Sequence, residues 1–335
     1  MKKKHPAKVL IIDEAAAAKH FEILIPLIKL LPWLLRLVLA GDPDQFSAFA
    51  LSREGQKWWF VSLFEKMKGE SWPRMLLRRC YRQHHMLMQP TSQLFYHNEL
   101  EAEYEEPSEE TKALLRSFRR GRGVGFLNQA QQKVKLSGTC HFIDVENSVC
   151  ENDSTMSSKN HPQNQCAEAV AKCLISEGVD PSKIMMITGY RANLSDLRTM
   201  ARDGRWSEDE LEQGVDLTTI IASQGLEKQI VIMTVTRNMR HDQALAYSFL
   251  TRRRLLNVAI SRPSQMLIIT GHWRSIMAIP SDAILFQTMT FMKSHWDKQP
   301  EFLLYAGAAP YRQLLEAEVG RVPVMANANT QTHVG

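Results

Sequence analysis

Val9-Leu10-Ile11-Ile12-Asp13-Glu14 is a run of four aliphatic residues closed by two acids. An unbroken apolar run of this length reads as a strand buried on both faces, as at the centre of a parallel sheet. Its carboxylates then stand at the C-terminal edge of the strand. Leu35 to Ala40 repeats the pattern, broken only by Arg36, and ends at Gly41-Asp42. The span Ile23–Ala40 carries Lys29, Arg36, Pro26 and Pro32, so it reads as a short amphipathic helix and a buried strand, not as a membrane crossing. Two strands that each deliver an acid at their exit, joined by a helical span, predict a parallel α/β sheet. In such sheets ligands lie outside the carboxyl ends of the strands.

The same pattern continues along the chain. Trp58–Met67 reads as helical. Cys140–Val145, Lys183–Thr188, Val215–Ala222, Gln229–Val235 and Met266–Thr270 read as strands. Ala167, Val170, Ala171, Leu174 and Ile175 fall on one face of a helix over Asn164–Ser176. Further helices are expected at Ala192–Arg202 and Leu255–Ser261. Glu101–Glu110, with six Glu, reads as a solvated surface segment, Arg116–Gly125 as basic loop, and Glu151–Pro162 as a long polar loop. Beyond Gly271 the periodicity weakens. Ser71-Trp72-Pro73 marks a boundary, giving units of 1–75 and 76–275 with a C-terminal extension over 276–335.

The chain has 335 residues, enough for about two domains. Apolar residues make up 44% and charged residues 23%, which excludes a wholly disordered or collagen-like chain. The net charge of +5 permits a polyanionic partner without demanding one. Five cysteines, at 80, 140, 150, 166 and 173, form no Cys-x-x-Cys pair. Their odd number and spacing fit idle thiols in a reducing, intracellular compartment, with cytoplasm and nucleus both open. Met1-Lys2-Lys3-Lys4-His5-Pro6 leads into only four apolar residues, so neither a secretory leader nor a membrane partner is expected.

An apolar strand ending in Asp-Glu is the Walker-B arrangement of phosphate-hydrolysing folds. Asp13 there holds magnesium through water, since hard oxygen ligands suit Mg²⁺. Glu14 orients and polarises an attacking water. The same residues read equally well as a strand ending in a solvated loop. Gly41-Asp42-Pro43-Asp44-Gln45 follows the second strand, where Gln45 has the reach to sense a terminal phosphate. An ordinary turn also favours Gly, Asp and Pro.

The order of the remaining motifs narrows these alternatives. Cys80-Tyr81-Arg82-Gln83-His84-His85 comes first, then Phe95-Tyr96-His97-Asn98-Glu99-Leu100 and Ile187-Thr188-Gly189-Tyr190. Ser223-Gln224-Gly225-Leu226-Glu227 and Asn257-Val258-Ala259-Ile260-Ser261-Arg262 complete the series. From about residue 8 to 272 the chain resembles the superfamily 1 helicases of the up-frameshift, or regulator-of-nonsense-transcripts, type. The resemblance implies an α/β fold of tandem RecA-like P-loop NTPase lobes with parallel sheets, the first lobe incomplete. It implies ATP and Mg²⁺ as cofactors and RNA or single-stranded DNA as partner. By resemblance Asp13 is the magnesium acid, Glu14 the catalytic acid and Gln45 a γ-phosphate contact. Tyr81 stacks near the base, Arg82 and Arg262 are arginine fingers, and Glu227 faces the ribose. Thr188 and Thr219 stand where relatives touch the nucleic-acid backbone. Two fixed guanidinium groups suit a transferring phosphoryl group, whose charge spreads over three oxygens. The runs Arg252-Arg253-Arg254 and Arg119-Arg120 read either as phosphate contacts or as a solvated face. Trp58, Trp59, Trp206 and Trp273 read as base-stacking groups or, more simply, as core.

The chain also departs from that pattern. No Gly-x-x-x-x-Gly-Lys-Ser/Thr occurs in the 335 residues. Such a loop cradles phosphates with its backbone amides. Cys80 replaces the usual Gln, Gln83 and His85 replace Met and Pro, Gly189 replaces Pro, and Pro263 replaces Ala. Asn193 stands near an expected Gln, and Ile221 and Ser223 replace Asp and Phe. The leading expectation is the C-terminal portion of an ATP-dependent helicase or translocase, with a larger helicase polypeptide supplying the phosphate loop. The alternative is a degenerate, non-hydrolysing module that binds nucleic acid or protein. A metal-dependent hydrolase or nuclease built on Asp13, Glu14 and Asp42 leaves the arginine motifs unexplained.

Overall fold

The computed structural model describes residues 7–46, 62–68, 70, 72–120, 125–127, 130–202, 214–238, 248–296 and 302–306. Strand β1 (Val9–Ile12), helix α1 (His20–Leu30) and strand β2 (Arg36–Leu39) come first. The two strands pair in parallel, Val9 opposite Arg36 and Ile12 opposite Leu39. They are not buried on both faces as their composition predicts. Side-chain exposure alternates, and Ile11 and Val38 are 67% and 46% exposed. The physical reason is the width of the sheet: with two strands and one helix among the described residues, half of each strand has no cover. Ala15, Ala16 and Ile23 form the small buried centre.

After α2 (Leu63–Lys68), strand β3 (Arg79–His84), helix α3 (His85–Phe95) and strand β4 (Glu101–Tyr104) form a second parallel pair, followed by α4 (Glu109–Arg120). Next come β5 (Gly125–Leu127), β6 (Lys133–Lys135), β7 (Cys140–Asp144), the hairpin β8 (Glu151–Asn152)–β9 (Ser158–Lys159) and α5 (His161–Ser176). Strand β10 (Ile184–Thr188), α6 (Arg191–Met200), β11 (Asp216–Thr219) and β12 (Lys228–Thr234) follow. The chain then forms α7 (Arg253–Ile260), β13 (Pro263–Gly271), α8 (Trp273–Met277), α9 (Ile284–Trp296) and β14 (Leu303–Tyr305).

Eight of these strands form one sheet in the order β11-β10-β12-β13-β7-β14-β5-β6. Neighbours are parallel from β11 to β14, and β5 and β6 close the edge antiparallel. Here every position of β7 and β10 is buried, because successive side chains go to two different cores. Met185, Ile187, Val231, Met233, Leu267 and Ile269 pack with residues of α3, α7 and α9. Ile184, Met186, Ile230, Ile232, Met266 and Ile268 pack with residues of α4, α5 and α6 on the other face. This mostly parallel sheet with helices on both faces is the α/β, RecA-like architecture the resemblance implies.

Three local expectations change. The basic stretch from Arg116 is helix as far as Arg120, since Leu115 and Phe118 are buried beneath the charges. The polar span Glu151–Pro162 contains the β8–β9 hairpin and the start of α5, whose N-cap Asn160 accepts a hydrogen bond from the Gln163 amide at 3.2 Å. Past Gly271, where the pattern weakens, α9 buries Trp296 and β14 pairs with β7 inside the sheet. Trp273 packs edge-on against Phe142, with ring centroids 5.2 Å apart, so it belongs to the core. Trp58, Trp59 and Trp206 lie outside the described residues. Among the described residues no helix is long and apolar enough to cross a membrane.

Candidate functional site

The exits of β1 and β2 are tied together by backbone. Ala40 N donates to Ile12 O at 2.9 Å and Ala15 N to Ala40 O at 2.8 Å. Gly41 is required at this approach, because a Cβ there would stand 2.8 Å from Ala16 N. Glu14 takes a left-handed backbone, φ 51°, and its amide donates to Asp13 Oδ1 at 2.9 Å. A non-glycine residue in that region is strained by roughly 1 kcal/mol or more, a cost that clusters at functional sites. Asp42 Oδ1 accepts from the Asp44 amide at 2.9 Å and shapes the turn that carries Gln45. The result is one edge bearing Asp13, Glu14, Asp42 and Gln45, with both Asp13 and Glu14 exposed.

The larger sheet presents its own groups to that edge. Arg262, just past α7, is 3% exposed and spends all five N–H donors on protein acceptors. Its Nε donates to Val258 O at 3.0 Å, and Nη1 to Ser223 O at 3.4 Å and Leu226 O at 3.1 Å. Its Nη2 donates to Ser261 Oγ at 3.1 Å and across the cleft to Gln45 Oε1 at 3.2 Å. Burial, with the Arg82 charge beside it, lowers the Arg262 pKa to about 10, while Glu14, Tyr96 and Glu227 oppose the shift. A buried guanidinium bound only to neutral oxygens is poorly compensated, and an anion that took the place of one of them would improve its environment.

Arg82 on β3 donates from Nε to Glu227 Oε2 at 2.6 Å and from Nη1 to the Ser261 carbonyl at 3.2 Å. Gln224 Nε2 donates to Glu14 Oε2 at 3.0 Å, a second bond across the cleft. The structure thus brings Glu14, Gln45, Arg82, Glu227 and Arg262 into one connected set. Asp13 lies on the same edge beside Glu14. Tyr81 points outward, 65% exposed, on the strand that carries Arg82. Gln83, one of the departures, is buried and donates to Ile260 O at 3.0 Å, fixing β3 to the end of α7.

The residues expected on the nucleic-acid side each have protein partners. Thr188 is fully buried at the end of β10, its hydroxyl 3.1 Å from Thr236 Oγ1 and accepting from Asn193 Nδ2 at 3.0 Å. In this arrangement it is a core polar group and presents nothing to a strand. Thr219 is half-buried, and its Oγ1 accepts from the Ala222 amide at 3.2 Å. The Arg252-Arg253-Arg254 run is committed internally. Arg252 lies over Phe249 and Arg253 over Phe95, at 5.0 and 4.9 Å, and Arg254 pairs with Glu65 at 2.5 Å.

Tyr96 and Asn257 join the site although sequence reasoning gave them no role. The Tyr96 hydroxyl donates to Asp42 Oδ2, and Asn257 Nδ2 donates to the Tyr96 oxygen at 2.8 Å and to Asp44 O at 2.9 Å. Burial first, then the Asp42 carboxylate, hold the Tyr96 phenol above its ordinary ionisation range. Both residues sit inside motif strings of the sequence, which is the one signal that pointed to them.

The donor set fits a magnesium–nucleotide. Among the described residues no group of three or more His, Cys, Asp or Glu is placed to hold a metal. Mg²⁺ needs no such cage, since it keeps waters and takes phosphate oxygens beside one or two carboxylates. Arg262, bonded to the Gln45 amide, and Arg82, which shares Ser261 with it, suit a multiply charged oxyanion, provided Gln45 and Glu227 give way.

A family model described as an AAA domain matches residues 60–274, and a second of the same description matches residues 1–53. Among curated proteins, the chain is 25% identical over 272 residues to the DNA polymerase alpha-associated DNA helicase A of Schizosaccharomyces pombe, covering 78% of this chain and 36% of that protein. It is 26% identical over 276 residues to the ATP-dependent helicase NAM7 of Saccharomyces cerevisiae, covering 80% and 26%. It is 26% identical over 266 residues to regulator of nonsense transcripts 1 of Caenorhabditis elegans, covering 79% and 23%. The chain therefore spans between about a quarter and a third of the length of these relatives. A model that matches well over half of the residues, with these relatives beside it, fixes membership: the chain belongs to the AAA-domain family and is a C-terminal portion of the up-frameshift type of superfamily 1 helicase.

Proposed function

We propose that this chain forms part of the motor core of an ATP-dependent helicase or translocase acting on RNA or single-stranded DNA. ATP and magnesium bind between the β1–β2 unit and the edge of the large sheet. The observation that carries this reading is the bond from Arg262 Nη2 to Gln45 Oε1, 3.2 Å long between residues 217 apart in sequence. It supports the reading by bringing a buried cation and the Gln45 amide together between the β2 exit and the larger unit.

The roles follow from that placement. Asp13 holds magnesium through water, and magnesium when bound neutralises charge on the phosphates. Glu14, held by Gln224 Nε2 at 3.0 Å, accepts the proton of an attacking water. Gln45 contacts the terminal phosphate. Arg82 and Arg262 exchange their protein partners for phosphate oxygens, and each such finger is worth roughly 10³–10⁵ in rate. Both arginines ride on the larger unit, so closure on nucleotide moves that unit against β1–β2, which is how hydrolysis drives motion on a strand. Tyr81 stacks near the base, Glu227 faces the ribose, and Thr219 lies toward the strand.

One observation favours the non-hydrolysing alternative: all five Arg262 donors are satisfied by protein acceptors, and Arg82 is paired with Glu227. A single turnover series separates the two readings. The 335-residue chain alone is expected to hydrolyse ATP poorly, because it contains no phosphate loop. Joined to the phosphate-loop segment of a relative, it is expected to turn over ATP with single-stranded RNA or DNA as stimulant. Arg82→Ala and Arg262→Ala then each reduce turnover by about 10³-fold or more. Turnover that survives both substitutions removes the finger assignment, and no turnover in the joined chain leaves the binding module.

A further inference from the structure

The turn Gly41-Asp42-Pro43-Asp44-Gln45 is gripped at three separate points by the larger unit. The Asp42 carboxylate accepts from the Tyr96 hydroxyl, the Asp44 carbonyl from Asn257 Nδ2 at 2.9 Å, and the Gln45 side chain from Arg262 Nη2 at 3.2 Å. Tyr96 and Asn257 are themselves joined at 2.8 Å. Tyr96 follows directly on α3, and Asn257 and Arg262 lie near the end of α7, so two helices of one core converge on a single short turn.

The hydrogen-bond directions around Tyr96 are fixed by chemistry. Asp42 is acceptor-only as a carboxylate, and its Oδ1 is already occupied by the Asp44 amide at 2.9 Å. The phenol must therefore donate to Oδ2 and accept from Asn257. Tyr96 thus ties the β2 exit to α7 and also contacts the Gln45 side chain, beside the point where Gln45 meets Arg262. Resting on the motor reading above, we propose that Tyr96, with Asn257, is a positioning residue that fixes the Gln45 turn against Arg262. It holds Gln45 on the guanidinium face where a phosphate oxygen of the substrate would bind, and so sets how far the cleft opens before nucleotide enters.

Three variants of the 335-residue chain test this by hydrogen–deuterium exchange. Tyr96→Phe keeps the ring and removes both bonds; the amides of Asp44 and Gln45 are expected to exchange at least about tenfold faster, the size of a lost bond to a charged partner. Amides of β10, β12 and β13 stay at their wild-type rates. Asp42→Asn keeps the turn but replaces the acceptor facing the phenol with a donor; it is expected to produce the same local acceleration, and it serves if Tyr96→Phe does not fold. Adding Gln45→Glu to Tyr96→Phe gives Arg262 a carboxylate and is expected to restore protection at 44–45, which a mere packing role for Tyr96 does not predict. Wild-type protection of the turn in Asp42→Asn, acceleration spread evenly through the large sheet, or no rescue by Gln45→Glu each overturns the proposal. Turnover is read separately: a joined chain that never hydrolyses ATP removes the motor reading and leaves the exchange result to stand or fall by itself.

Discussion

The β1–β2 unit and the eight-stranded sheet are built from the same kind of strand and end in different states. Val9-Leu10-Ile11-Ile12 and Ile184-Met185-Met186-Ile187 are equally apolar. The first alternates between exposed and half-buried, and the second is buried at every position. The difference lies in the neighbours: β10 is flanked by β11 and β12, with helices over both faces, whereas among the described residues β1 pairs only with β2. The carboxylates of Asp13, Glu14 and Asp42 and the Gln45 amide sit on the thinly supported unit. Arg262 stands just before β13 of the large sheet, and Arg82 on β3 of the β3–β4 pair. The small unit consequently leans on the large one through polar contacts, and those contacts are the ones that nucleotide bound as proposed would rearrange.

Truncating the two kinds of strand gives the largest expected contrast. Ile232→Ala, in the centre of β12, is expected to cost about 2–5 kcal/mol in urea unfolding, the range for a cavity in a packed core. Ile11→Ala, at a position 67% exposed, is expected to change stability by less than about 0.5 kcal/mol. A large loss at Ile11 would mean that the β1–β2 unit has cover the described residues do not supply.

What the sequence made legible follows the same division. Strands β7, β10, β12 and β13 announce themselves because their aliphatic runs are local and their burial is complete. The exposure of β1 was not legible, since a strand's composition does not report how many neighbours it has. Arg116–Arg120 hid a helix because its stripe of Leu114, Leu115 and Phe118 is narrow beside its charges. Strand β14 is three residues long, below what periodicity resolves. Within the site, Gln45, Arg82 and Arg262 were legible from motif order. Tyr96 bonds to Asp42 across 54 residues and to Asn257 across 161, and only the packing of α3 against α7 brings them together. Thr188 was placed at the end of its strand, but whether its hydroxyl faces solvent or Asn193 depends on the neighbouring strand.

A smaller effect, about 2–3 kcal/mol, separates two buried titrating groups of the large unit. Burial lowers His84 to about 4, with His85 adding to the shift and the Gln265 carbonyl opposing it. The unfolded chain therefore binds the extra proton between about pH 4 and 6.5, and this term makes stability rise with pH across that window. Burial raises Asp144 to about 6, with Glu146 adding and the Trp273 amide opposing. The folded chain then holds the extra proton between about pH 4 and 6, so this term makes stability fall as pH rises. The two slopes oppose each other over nearly the same range. Asp144→Asn removes the falling term, and its unfolding free energy is expected to climb from pH 4 to 6.5 more steeply than the wild type's. Parallel profiles for the two proteins would show that Asp144 is not held protonated by its surroundings.

The smallest expected effect belongs to the pair that joins β3 to the residues before β12. Arg82 and Glu227 are only 2.6 Å apart, yet their side chains are 33% and 60% exposed. Solvent screens such a pair, and holding two long side chains in one geometry costs entropy, so Glu227→Gln is expected to lower stability by less than about 1 kcal/mol. The difference is expected to shrink further in 0.5 M salt, where the Debye length is only about 4 Å. Arg262 presents the opposite case, with its five donors buried among carbonyl oxygens and the Ser261 hydroxyl. A guanidinium that is cheap to release and another that is fully engaged give the cleft one loose and one firm contact. A loss above about 2 kcal/mol for Glu227→Gln, or one indifferent to salt, would make Arg82 a strut like Arg262 and erase the contrast between them.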